Sequence, residues 1–304
     1  VFVRRTEELS EDERVLLQTV ARIVFSDTAE TLIEPLERRI SSERVSDLLE
    51  LRLLPVSEPI SSLPTRERIF YNGLGGFTPD GHEYVITLEP GKSTPAPWVN
   101  VIASPHIGTV VSECGSAYTW VDNAHEFRLT TWHNDPLSDS SGEMFYIRDE
   151  DNGVFWSPTP LPTGGQSGYV CRHGFGYSVF EHYQNGISSE LSTYVAMDAP
   201  VKFMVIKLHN HSRRTRRLSL TGYWELVLGE WRHANLMHIV TEADPHSGTL
   251  FARNAYGREY AKRIVFAKVS ERERSVTGSR TEFIGRNGSL SSPAAMRRKR
   301  LSGK

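Results

Sequence analysis

What most constrains this chain is a long succession of short β-type runs, each closed by turn chemistry, that begins near residue 70 and continues almost to residue 270. Runs rich in Tyr, Val, Ile, Thr and Trp predict strands over 83–88, 98–103, 118–121, 126–131, 144–149, 176–182, 187–196, 201–210, 217–227, 239–244, 248–253 and 263–269. Between them fall Pro79-Asp80-Gly81, Asp151-Asn152-Gly153, Asn185-Gly186 and Pro245-His246-Ser247-Gly248. Asn-Gly and Asp-Gly supply the positive φ that tight hairpins require. A dozen strands spaced in this way predict a mainly β protein, a large antiparallel β-sandwich, and not a parallel α/β sheet. Over 201–210 the alternation is only partial, with Val201, Phe203 and Val205 set against Lys202, Met204 and Ile206, so both faces are expected to be covered.

The first 54 residues have a different texture. Ser10-Glu-Asp-Glu13 fits a capping box, and Val15, Leu16, Val20, Ile23 and Val24 follow at helical spacing. Leu32, Ile33, Leu36 and Ile40, then Val45, Leu48, Leu49 and Leu53, predict two more helices, the first restarted or kinked by Pro35. Pro55, Pro59 and Pro64 with Ser57, Ser61 and Ser62 mark a linker. The expected organisation is a helical lead-in and linker over 1–64, a sandwich over 65–290 and the start of a further linker over 291–304. The first residue is Val, and Leu301-Ser-Gly-Lys304 offers no closing element, so the expectation is a piece of a longer protein.

Composition removes several classes. A net charge of -2 gives no general attraction to nucleic acid or an anionic membrane. No apolar run reaches the roughly 18 residues needed to span a bilayer, and no secretory leader is visible. Cys114 and Cys171 allow one disulfide but no framework or metal spacing, which favours a reducing, cytoplasmic setting. The basic runs Arg213-Arg-Thr-Arg-Arg217 and Arg297-Arg-Lys-Arg300 read as a solvated turn and a linker.

Chemistry-bearing motifs concentrate between Tyr71 and Tyr177. Gly73-Leu-Gly-Gly76 leads into a turn and a strand, not a helix, so it reads as backbone bends and not as a phosphate cradle. Trp98, Trp120, Trp132 and Trp156, near Asn100, Asp122, Asn123, Asn134 and Asp135, suggest sugar recognition. A pyranose presents an apolar face to indole and a rim of hydroxyls to planar amides and carboxylates. Core packing is the competing use of the same tryptophans. Cys171-Arg-His-Gly174 lacks an evident orienting group for thiol catalysis and reads as a buried Cys with Arg172 and His173 in a hydrogen-bonded interface. His209-Asn-His211 lacks supporting ligands for a metal, Asp149, Glu150 and Asp151 read as a solvated hairpin tip, and no cofactor is called for.

Several of these motifs, in order, carry a family resemblance. Asn72-Gly-Leu-Gly-Gly-Phe-Thr-Pro-Asp-Gly-His-Glu-Tyr-Val-Ile86, Pro95-Ala-Pro-Trp-Val-Asn100, Phe155-Trp-Ser-Pro158, Cys171-Arg-His-Gly-Phe-Gly-Tyr177 and Thr281-Glu-Phe-Ile-Gly-Arg-Asn-Gly288 resemble the N-terminal part of glycoside hydrolase family 94. That family includes cellobiose and chitobiose phosphorylases, and the phosphorylase-like region of cyclic β-1,2-glucan synthases is similar above all. The resemblance covers about 65–304 and implies a mutarotase-like supersandwich. It also implies a following (α/α)6 barrel that carries the general acid and phosphate site, so the family's catalytic residues have no counterpart here. The expectation is a domain that binds carbohydrate or scaffolds, shapes a glucan cleft and docks the barrel. Candidate sugar contacts, chosen by chemistry, are Trp98, Asn100, Gln166, Arg172 and His173. Expected partners are a β-glucan or oligosaccharide, the barrel and a second copy of the chain. The alternatives are a purely structural interface domain and a free-standing sugar mutarotase or hydrolase.

Overall fold

The computed structural model describes residues 6–20, 65–133, 135, 141–271 and 273–303. The helices expected beyond Val20 and the Pro/Ser linker lie outside the described residues. The chain divides into two compact units, Val1–Ser57 and Glu58–Lys304. In the first, α1 (Glu11–Val20) begins with the expected capping box: Glu13 N–H donates to Ser10 Oγ at 3.3 Å, and Ser10 N–H donates to Glu13 Oε2 at 2.9 Å. Its apolar Val15, Leu16, Leu17 and Val20 are exposed.

The second unit is built from antiparallel sheets. In chain order the strands are β1 (Gly75–Phe77), β2 (Glu83–Leu88), β3 (Val99–Ala103), β4 (Ile107–Ser112), β5 (Ala117–Val121), β6 (Arg128–Thr130), β7 (Glu143–Asp149) and β8 (Phe155–Trp156). There follow β9 (Tyr169–Gly174), β10 (Tyr177–Gln184), β11 (Ile187–Val195), β12 (Lys202–Asn210), β13 (Leu218–Trp224), β14 (Leu226–Gly229), β15 (Ile239–Ala243), β16 (Leu250–Asn254) and β17 (Val265–Ala267). A six-stranded sheet runs β1-β2-β9-β10-β11-β12 and a five-stranded sheet runs β14-β6-β5-β4-β3. Three-stranded sheets β13-β7-β8 and β15-β16-β17 complete the unit. The two larger sheets bury a common core in which Ile86, Cys171, Phe180 and Leu191 of one meet Ile102, Ile107, Val111 and Ala117 of the other. This is the face-to-face layering of a sandwich, held by apolar burial worth about 1.5–3 kcal/mol for each fully buried large side chain.

Four departures from the sequence reading have physical causes. Residues 217–227 form two strands in different sheets, because Glu225 turns inward between them. It is 7% exposed and accepts from Tyr223 Oη, from Arg232 Nε at 2.6 Å and from Arg280 Nε at 3.1 Å. Strand β4, unread in the sequence, is buried along most of its length and so shows no alternation. Asp149 is not a solvated hairpin tip: it is fully buried against Arg216, whose Nη2 lies 2.5 Å from Asp149 Oδ2. The Arg213–Arg217 run is thereby partly interior, since Arg216 is 1% exposed.

The C-terminal motif is structural in the same way. Helix α2 (Arg232–Asn235) follows β14, and α3 (Arg280–Ile284) is N-capped by Ser279, whose Oγ accepts from Glu282 N–H at 3.2 Å. Phe283 and Ile284 bury against Tyr146, Tyr223 and Met296. Gly288 sits so close to the Ile284 carbonyl that a Cβ would lie 1.9 Å from its oxygen.

Candidate functional site

One rim of the larger sandwich collects most of the sequence motifs. Phe77 on β1 meets Tyr84 on β2 edge to face (4.9 Å, 80°), and Tyr84 meets Trp98, just before β3, in the same manner (5.9 Å, 74°). Trp98 is half-buried and packs against the main core. Around this row Phe70 is 84% and Phe175 81% exposed, with Tyr71, Val99 and Val101 also open to solvent. Close packing explains two glycines of the Asn72–Phe77 motif: a Cβ on Gly75 would strike the Tyr84 ring at 2.7 Å, and one on Gly76 the Ile69 carbonyl at 2.8 Å. Gly73, at φ +99°, is the bend that the sequence suggested.

The rim is pinned by side chains that reach backbone. Glu113, 1% exposed, accepts from Trp98 N–H at 2.8 Å and from the Thr94 hydroxyl. His173 Nε2 lies 3.1 Å from the Trp98 carbonyl, an acceptor only, so Nε2 carries the proton. Its Nδ1 then accepts from the Ser178 hydroxyl at 2.9 Å. Burial pushes His173 down to about 4 against a weaker opposing effect of the Trp98 bond, which keeps the ring neutral. Asn100 Nδ2 lies within reach of the Gly174 carbonyl (3.0 Å), the Tyr177 carbonyl (2.9 Å) and Ser178 Oγ (3.2 Å). Together these contacts fasten the start of β3 to the β9–β10 hairpin.

Arg172 points to the opposite face of the six-stranded sheet from His173. Its Nη1 lies 2.5 Å from Glu83 Oε1 and its Nε 3.0 Å from Glu181 Oε1. Arg66 pairs with Glu181 through both guanidinium nitrogens at 2.8 and 2.7 Å, and Tyr177 Oη donates to Glu83 Oε1 at 2.7 Å. Gln166 is exposed on the loop before β9, where its N–H donates to Gln184 Oε1 at 2.8 Å. Of the five residues selected by chemistry, the structure therefore joins Trp98, Asn100 and His173 and separates Arg172 and Gln166 from them. Cys171 is buried beside His173, and burial, then the nearby Glu113 charge, raises its thiol well above the ordinary range. That is the opposite of what a nucleophile needs. Both cysteines are free.

The other tryptophans divide. Trp156 is core at 2% exposure, and Trp120 and Trp132 pack on either side of Tyr118 (5.3 and 4.8 Å). Asn134 lies outside the described residues. Among the described residues Trp231, which the sequence reading passed over, is the tryptophan that stands open, at 50%. It follows β14, between His125 and His233. Nearby, His125 Nδ1 lies 3.2 Å from Glu126 and Nε2 3.3 Å from Glu230, so each carboxylate meets its own ring nitrogen. A concavity of about 980 Å³ lies elsewhere, between the 244–248 turn, residues 268–270 and 274–276, and residues 300–303. Arg274 lines it by donating to the Ser247, Val269 and Glu271 carbonyls.

The layered antiparallel sheets and their motif-built rim define a supersandwich-type domain. A family model for the glycosyl hydrolase 94 supersandwich domain matches residues 82–304, and the chain belongs to that family. It is 32% identical over 307 aligned residues to the cyclic beta-(1,2)-glucan synthase NdvB of Rhizobium meliloti (strain 1021), covering 97% of this chain and 11% of that protein. It is 29% identical to the N,N'-diacetylchitobiose phosphorylase of Vibrio furnissii (61% of this chain, 22% of that protein). It is likewise 29% identical to the solabiose phosphorylase of Paenibacillus borealis (74% of this chain, 30% of that protein). The chain thus spans between about a tenth and a third of the length of these relatives. Among the described residues no helix is long and apolar enough to cross a membrane.

Proposed function

We propose that this chain is a carbohydrate-facing, non-catalytic sandwich domain of a longer glucan-processing protein, of the glucan synthase or glycoside phosphorylase kind. The observation that carries this reading is the pinned aromatic row Phe77–Tyr84–Trp98, with polar Asn72 and Asn100 beside it. Asn72 Nδ2 already reaches Tyr84 Oη at 3.2 Å, so amide and hydroxyl groups stand along an aromatic edge. A pyranose stacks on such rings and bonds such groups, and a row held from below loses little entropy on binding. In this reading the bond-making chemistry belongs to the rest of the longer protein. The relative named as a cyclic beta-(1,2)-glucan synthase makes a β-1,2-glucan the first ligand to try.

A second reading rests on Phe70 and Phe175, both more than four-fifths exposed at this rim. Open phenyl rings beside Val99 and Val101 suit a docking face for another domain of the same protein, with no sugar affinity of its own. Titration of the intact chain with linear β-1,2-glucan separates the two. Saturable quenching or shift of indole emission, lost in Trp98→Ala, supports carbohydrate contact. A flat titration to millimolar glucan with the fold intact leaves docking alone.

A further inference from the structure

Strand β14 is irregular where regular pairing would have been simpler. Its register against β6 shifts between Leu226 and Gly229. Leu228, a buried residue with no special liking for the left-handed region, sits there at φ +45°. Bulges re-aim side chains, and backbone strain of this kind costs about 1–3 kcal/mol and persists only where surrounding contacts enforce it.

Those contacts are present. The Leu228 carbonyl accepts from Asn254 Nδ2 at 3.2 Å, and the same amide reaches Asn235 Oδ1 at 3.0 Å. Asn235 Nδ2 donates to the Trp231 carbonyl at 2.8 Å, alongside the Asn235 and Ala234 N–H groups at 3.1 and 3.2 Å. Gly229 lies under this amide: a Cβ would come within 2.7 Å of Asn235 Nδ2. Arg232 is tied back to Glu225 at 2.6 Å. The backbone of Glu230 and Trp231 is thus fixed from several directions while the Trp231 indole is left half open to solvent.

What it is fixed beside is polar. Asn123 Oδ1 accepts from the His125 and Glu126 N–H groups at 2.8 and 3.0 Å, which sets those two side chains at the end of the neighbouring strand. The His125 ring stands edge-on to Trp231 (6.3 Å, 87°), with His233 at 6.2 Å on another side. Glu126 and Glu230 flank His125. An open indole flanked by two imidazoles, one of which carries a carboxylate at each ring nitrogen, offers one apolar plane with hydroxyl acceptors near it.

We propose that Trp231, with His125, Glu126 and Glu230, is a second carbohydrate contact, a stacking platform for an uncharged pyranose whose hydroxyls donate to the two carboxylates. It rests on the carbohydrate-facing reading above but uses a different surface. Trp98 precedes β3 and Trp231 follows β14, and these are opposite edges of one five-stranded sheet, roughly 19 Å apart at four strand spacings. The two positions therefore act as separate subsites.

Calorimetric titration of the intact chain with linear β-1,2-gluco-oligosaccharides tests this, using Trp231→Ala, the milder Trp231→Phe and Glu230→Gln beside Trp98→Ala. The expected result is at least about a tenfold weakening or loss of one binding event in Trp231→Ala. Smaller losses are expected in Trp231→Phe and Glu230→Gln, with the event assigned to Trp98 retained. Wild-type binding unchanged in all three Trp231 and Glu230 variants overturns the platform and leaves the rim reading standing. Loss confined to Trp231→Ala with no effect of Trp98→Ala overturns the rim reading instead. No binding by the folded wild-type chain overturns both.

Discussion

The Lys202 ammonium donates to Glu143 Oε2 at 2.6 Å inside the sandwich, with only 7% and 4% of the two side chains exposed. Lys202 comes from the edge of the six-stranded sheet and also reaches Thr109 Oγ1 (2.8 Å) and Thr119 Oγ1 (3.2 Å) on the five-stranded one. Burial pushes the Glu143 carboxyl up, but the Lys202 charge and the bonds from Lys202, Thr119 and Thr130 together hold it below its ordinary range. One polar knot therefore ties three sheets together through an apolar core.

Breaking one side of a buried pair leaves the other charge stranded. Lys202→Met is expected to destabilise the chain by about 3–5 kcal/mol, read from the denaturant midpoint. Lys202→Met combined with Glu143→Leu is expected to recover much of that loss. Equal losses in the single and double variants would show that the pair itself is not the cause.

Acid should loosen the sandwich, at the rim through His173 and at the far end of β10 through His182. His173 and His182 are both pushed by burial to about 4 from an ordinary 6.5. Between those values the unfolded chain binds protons that the folded chain refuses, so stability falls as pH drops from about 6.5 towards 4. Each histidine contributes on the order of 3 kcal/mol to that fall. For His173 the cause is burial, which outweighs the opposing bond to the Trp98 carbonyl. Denaturant midpoints measured across this window should slope steeply in the wild type and less in His173→Gln. A flat wild-type profile would contradict the neutral, buried assignment.

Glu113 holds Trp98 from the N–H side, and that bond has a readable consequence. Glu113→Ala leaves the Trp98 N–H and Thr94 hydroxyl without this acceptor and is expected to cost about 1–3 kcal/mol. Glu113→Gln retains one oxygen acceptor and should cost less. Indole emission and thermal midpoint report the two effects together, and indifference of both to Glu113→Ala would remove it as the anchor.

Cys171, 1% exposed and with a raised thiol, should resist thiol reagents in the folded chain and react at the rate of unfolding. Rapid modification under native conditions would contradict its burial.

The fold was readable because its signals are local. Asn185-Gly186 marks a hairpin whose flanking strands pair from Gln184 with Ile187 to Tyr177 with Tyr194. Asn-Gly chemistry and alternation suffice there without tertiary knowledge. Non-local demands defeated the pattern elsewhere, as at Glu225, which turns inward to meet Arg232 and Arg280 and divides one predicted run between two sheets. The rim shows both sides. Trp98, Asn100 and His173 are separated by up to 75 positions yet share a chain of hydrogen bonds, and the sequence offers only their side-chain chemistry as a reason to group them. Arg172 is set with His173 by side-chain chemistry alone, and as its neighbour on a strand it faces the opposite way. Trp231 was missed because exposure of an indole depends on the bulge and the Asn235–Asn254 contact, neither of which spacing encodes.

Carbohydrate contact by the intact chain is measured directly by equilibrium dialysis against a labelled linear β-1,2-gluco-oligosaccharide, with no reliance on indole emission. Saturable uptake, with the binding event assigned to Trp98 weakened by at least about tenfold (roughly 1.4 kcal/mol) in Trp98→Ala, is the predicted result. Equal concentrations on both sides of the membrane at several millimolar oligosaccharide, with a folded chain, would contradict it.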